Sequence, residues 1–111
     1  MTIETYNRAM ALRKIMFPLQ DRSKATHDRI LSKLLEEGGE TAGAANTFFG
    51  RKYRPDLEPG NVEKIKGELG DLFFVLLGLC EFWETTPDEC MEMVIEKLQG
   101  RKEVAEANGQ D

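Results

Sequence analysis

Apolar residues recur every three to four positions along most of the chain, and no stretch alternates polar and apolar residues for long. That pattern predicts helices and almost no strand. The first helix spans Ile3 to Phe17, with Ile3, Tyr6, Met10 and Phe17 at helical spacing, and Pro18 ends it. A polar, basic connection follows from Pro18 to Ala25. The second helix begins near Thr26 and ends near Phe49–Gly50, with Ile30, Leu31, Leu34, Leu35, Ala42 and Ala45 as its stripe. Gly38 and Gly39 interrupt it at a cost of about 1 kcal/mol each relative to alanine. Their presence predicts that a neighbouring helix or a ligand approaches the backbone there.

Residues 50–61, rich in glycine and proline, form a loop, and Asn61 is the expected N-cap of a third helix from Val62 to Trp83. Between residues 72 and 80 that helix is apolar on every face and must be covered all round, which predicts a second subunit against its outer side. Thr86, Pro87 and Glu89 form a helix start with a capping box. The fourth helix carries Met91, Val94, Ile95 and Leu98 and runs to about Ala107. The expected fold is all-α: a four-helix bundle built on antiparallel helix hairpins, one domain over residues 1–111, completed as a homodimer or homotetramer.

Composition narrows the functional classes. A chain of 111 residues suits one domain and buries only about two-thirds of its unfolded surface, which favours association. With 20 acidic and 15 basic residues and a net charge of −5, it is not steered toward nucleic-acid backbones or anionic membranes. The apolar run 72–80 is far shorter than the roughly 20 residues that cross a bilayer, and Asp71 and Glu81 bracket it. The N-terminal residues lack a signal-peptide layout, so a cytoplasmic protein is expected. Cys80 and Cys90 form no CxxC pair and read as small buried hydrophobes. His27, the only histidine, reads as a surface or capping residue rather than a zinc ligand.

The chemistry-bearing residues are acidic. Glu37 and Glu40 lie on one face of the second helix, as Glu68 and Asp71 do on the third, and Glu36 flanks the first pair. Both pairs sit roughly 10–18 Å from the intervening loop at 1.5 Å of rise per residue. An antiparallel hairpin therefore brings four carboxylates across one gap, beside the apolar stripe. Such a cluster repels itself and loses hydration unless a cation compensates. All-oxygen ligands suit magnesium, with manganese as a substitute, and magnesium is the common choice where phosphates complete the shell. One such pair alone is ordinary surface decoration; two at matching height are not. Basic candidates for a phosphate chain are Arg51, Lys52 and Arg54 in the loop and Lys97 and Arg101 on the fourth helix. Tyr53, an aromatic in a polar loop, is a candidate base contact.

Glu36-Glu37-Gly38-Gly39-Glu40 and Gly67-Glu68-Leu69-Gly70-Asp71 resemble the E-E-x-x-E and E-x-x-D motifs of the MazG-like all-alpha nucleoside triphosphate pyrophosphohydrolases. The resemblance covers roughly residues 26–101. It implies that Glu37, Glu40, Glu68 and Asp71 are magnesium ligands, Glu36 an auxiliary carboxylate, and Lys97 and Arg101 phosphate contacts. It further implies hydrolysis of a nucleoside triphosphate, between the α and β phosphates, to the monophosphate and pyrophosphate. Two positions depart from the family pattern. Val94 stands where an asparagine is expected, which bears on sugar and base contacts, and Gly67 replaces a glutamate. Two other readings compete: an activity like phosphoribosyl-ATP pyrophosphohydrolase, and a catalytically silent helical interaction module.

Overall fold

The computed structural model describes residues 1–49 and 60–109, and all of their regular structure is helical. Four helices follow in order: α1 (Ile3–Met16), α2 (Lys24–Phe48), α3 (Gly60–Phe82) and α4 (Pro87–Ala107). Three are started by side-chain caps. The hydroxyls of Thr2, Ser23 and Thr86 accept from the backbone N–H of Thr5, Thr26 and Glu89 respectively. The α2 cap lies upstream of the Thr26 start that the sequence suggests. Asp21 reinforces it by accepting from the Ser23 N–H at 3.0 Å and the Thr26 hydroxyl at 2.5 Å. These bonds hold the Asp21 carboxyl down at about 2. The capping box of α4 is half made, because Glu89 accepts from the Thr85 hydroxyl at 2.7 Å. Asn61, the expected cap of α3, is already inside that helix.

α2 and α3 form the central antiparallel pair. Arg22, just before α2, donates to the Phe82 carbonyl at the end of α3, and the Thr41 hydroxyl reaches the Glu68 carbonyl at 3.4 Å. The early part of one helix therefore lies beside the late part of the other. The buried apolar residues Val75, Leu77, Cys80 and Phe82 all belong to α3. His27 completes this end, half-buried with its ring 5.2 Å from Phe82 and 5.4 Å from Trp83. Cys90, expected to be buried, is exposed.

α1 is fastened to α3 by one buried cation. The Arg13 guanidinium donates to the Phe74 carbonyl at 3.0 Å and lies 5.1 Å from the centre of the Phe74 ring. Gly78 leaves the space it occupies, since a Cβ there would collide with both Nη2 and Cζ of Arg13. Burial pulls the guanidinium below its ordinary pKa, with Glu81 acting in the opposite direction. Of the two neighbours expected at Gly38 and Gly39, the helix is not found: a Cβ added to either meets nothing within 4 Å among the described residues.

α4 buries none of its residues, and Met91, Val94, Ile95 and Leu98 lie exposed along it. On α3, Phe73 is 59% exposed and Leu76 is 41% exposed. The radius of gyration is 18.2 Å, against about 13 Å for a compact chain of this length. The helices are thus those expected, but α4 does not seal the bundle within one chain.

Two predictions follow from this packing. Leu77→Ala, at the least exposed apolar residue, should cost roughly 2–5 kcal/mol in a denaturant titration. Asp21 is depressed in the folded state, so its stabilising contribution is full above the unfolded value near 4 and is lost as pH falls toward about 2. Asp21→Ala should therefore be less stable at neutral pH and show a shallower loss of helical signal through that acid window.

Candidate metal centre

The antiparallel pair brings the two acidic motifs together. Oxygens of Glu37, Glu68 and Asp71 lie within 4.8 Å of one another, and so do oxygens of Glu36, Glu37 and Glu40. Glu37 belongs to both groups and is buried, with 7% of its surface exposed. The Thr41 hydroxyl sets the spacing, lying 2.8 Å from the Glu37 carbonyl and 3.4 Å from that of Glu68. One small side chain one turn beyond Glu37 thus ties α2 to α3 at the height of the acids.

The electrostatics of this cluster are unbalanced. Oε2 of Glu37 and Oε2 of Glu68 are both buried and find no hydrogen-bond donor among the described residues. The charge of Glu37, followed by partial desolvation, pushes the Glu40 carboxyl up. Among the described residues a single ammonium faces the cluster: Lys33 Nζ lies 3.3 Å from Glu37 and 3.4 Å from Glu36. One cation cannot satisfy five carboxylates. Orphaned oxygens and a purely carboxylate donor set fit a hard divalent ion such as magnesium, and they do not fit a soft metal that prefers thiolate or imidazole.

A cavity of about 910 Å³ opens beside the acids between α1, α2 and α3, reaching Glu36, Glu37 and Asp71. Its other walls include Arg13, Phe17, Arg29 and Lys33. None of these four is singled out by sequence reasoning. Lys33 carries a legible signal, being three and four residues before Glu36 and Glu37. Arg13 and Phe17 carry none, because only the folded chain brings α1 to α3.

The remaining candidates fall elsewhere. Lys97 and Arg101 line a shallow cavity with Gly100, Val104 and Ala105, all on α4, and not the cavity that the acids line. Arg51, Lys52, Tyr53 and Arg54 lie outside the described residues. No helix among the described residues is long and apolar enough to cross a membrane.

No match to the chain was found among curated proteins or among solved structures. Residues 25–105, by contrast, match the MazG nucleotide pyrophosphohydrolase domain, a span that contains all but the first residue of α2, the acidic cluster, α3 and nearly all of α4. An all-α chain with its two acidic motifs joined across an antiparallel helix pair, and with this match over most of its length, belongs to the MazG nucleotide pyrophosphohydrolase family.

Proposed function

We propose that the protein hydrolyses a nucleoside triphosphate to the monophosphate and pyrophosphate with magnesium, manganese being able to substitute. The observation that carries this reading is Glu37, a buried carboxylate shared by two acidic groups, one of its oxygens without a donor among the described residues. Glu37, Glu40, Glu68 and Asp71 hold the metal. When bound, magnesium supplies the charge that neutralises the triphosphate and acidifies water for attack. Glu36, more exposed than Glu37 and at the margin of both the cluster and the cavity, accepts the proton of the attacking water. Lys33 balances Glu36 and Glu37 while no metal competes for them.

The phosphate contacts require a second chain. Lys97 and Arg101 lie apart from the acids of their own chain, and the apolar stripe of α4 is open. A homodimer or homotetramer in which α4 of one copy covers the exposed side of α3 in another hides Phe73 and Leu76. It also carries the two basic residues toward an acidic cluster. Arg51, Lys52, Arg54 and Tyr53 remain loop candidates for the phosphates and base. The acidic net charge does not steer the chain toward a nucleic-acid backbone.

A magnesium-dependent panel of nucleotides with pyrophosphate detection tests the reaction. Release of pyrophosphate from nucleoside triphosphates is the expected result. Turnover confined to a phosphoribosyl-nucleotide adduct sinks this substrate class. A silent helical module would bind neither magnesium nor manganese in calorimetry, with or without a non-hydrolysable triphosphate.

Replacing an outer-shell partner of a metal costs about 10–100-fold in activity or affinity. Glu40→Ala and Asp71→Ala should therefore lower turnover by at least about a hundredfold while leaving the helical circular-dichroism signal intact. Near-normal turnover in both removes them from the metal site. Phe73→Glu should shift sedimentation toward monomer and reduce turnover in parallel.

A further inference from the structure

We infer that α1 and the turn that ends it are the nucleobase-binding wall of the site, with Phe17 as the stacking platform and Arg13 as the residue that positions it. The inference rests on the triphosphate reading above and identifies which part of the chain reads the substrate's base. The whole of α1 and its exit turn precede residue 25, outside the matched domain. The metal-binding acids belong to the domain; this wall does not.

The geometry has three parts. First, one cavity is lined both by the acids Glu36, Glu37 and Asp71 and by Arg13 and Phe17 of the α1 wall. Asp71 precedes Phe74 and Gly78, the two α3 residues that receive Arg13, by roughly 5–10 Å along the helix axis. That separation is of the order of one nucleoside, so a ligand with its phosphates at the acids carries its base to the α1 wall. A volume of about 910 Å³ lies within the usual range of small-molecule sites.

Second, Phe17 is placed for stacking rather than for the core. It is 56% exposed and meets Phe74 edge-on, with ring centres 6.1 Å apart and planes inclined at 72°. The contact holds the ring at one edge and leaves surface on the cavity. Its backbone is the C-cap of α1, bonded to the Arg13 carbonyl at 2.7 Å, and Pro18 turns the chain immediately afterward. The side chain is thereby held at the rim.

Third, a buried cation fastens the wall to α3. Arg13 seats in the space left by Gly78, bonds the Phe74 carbonyl and lies over the Phe74 ring. Arg13 is a positioning residue: it acts on the ligand by fixing where Phe17 stands.

Equilibrium binding separates this role from a purely structural one. The two probes are a magnesium nucleoside triphosphate with a methylene bridge between the α and β phosphorus atoms, and magnesium tripolyphosphate, which has no base. Base–aromatic stacking implies that Phe17→Ala weakens the nucleotide about tenfold or more and leaves tripolyphosphate unchanged. Gly78→Ala, which displaces Arg13 from α3, should give the same base-dependent loss while helical content persists. With hydrolysable substrate, KM rises and kcat holds. Equal loss for both probes, or no loss for either, overturns the inference. If the full-length protein binds the nucleotide in a Phe17-dependent way yet releases no pyrophosphate, the wall stands and the hydrolase reading falls. If turnover is normal and Phe17→Ala is silent, the reverse holds.

Discussion

Everything in the central helix pair is arranged around the repulsion between carboxylates at the α2–α3 contact. Glu37 is buried at the point where both acidic groups meet, and one of its oxygens has no donor among the described residues. Helices normally keep such charges at their solvent faces, where water screens them. Thr41 instead draws the two backbones together at that height, and the apolar side of α3 supplies the burial that offsets the conflict. The protein thus carries a concentration of negative charge of the kind a divalent cation would relieve. A concentration of this kind belongs to a site built for a ligand, since packing alone would remove it by substituting an apolar residue.

The distribution of burial gives the second theme. α3 contributes all four buried apolar residues, while α4 contributes none. A spine with one bare flank and a terminal helix with an open stripe are complementary in chemistry and located in the same chain. The short Trp83–Thr86 link leaves them unpaired in a single copy. The proposed assembly would join packing to catalysis, because the helix left uncovered is also the one bearing Lys97 and Arg101.

Much of this was legible in the sequence, for physical reasons. Helical periodicity is local, so all four helices appear close to their expected bounds, and Pro18 and Pro87 mark a stop and a start by removing a backbone donor. The acids were legible because helix rise converts sequence spacing into height, and an antiparallel hairpin then matches 37 with 68 and 71. Local competition for caps was not resolved: Ser23 and Asp21 start α2 ahead of Thr26, and Asn61 is passed over. Cys90 was misread because an apolar stripe says that a face seeks cover without saying that this chain supplies it. Gly38 and Gly39 leave room for a neighbouring helix or a ligand, and no described helix takes it. Arg13 was invisible because its meaning depends on Gly78, sixty-five positions away in the chain (78 minus 13).

That last pairing has an evolutionary corollary. A slot made by a missing side chain and filled by a guanidinium is a lock with two halves, neither of use without the other. Any β-carbon at position 78 forces the guanidinium to shift, and any shorter residue at 13 leaves a hole beside a bare glycine. Homologous chains that keep this N-terminal helix seated should therefore change both positions in concert, so that the pair serves as a tracer of which descendants inherited the same roof.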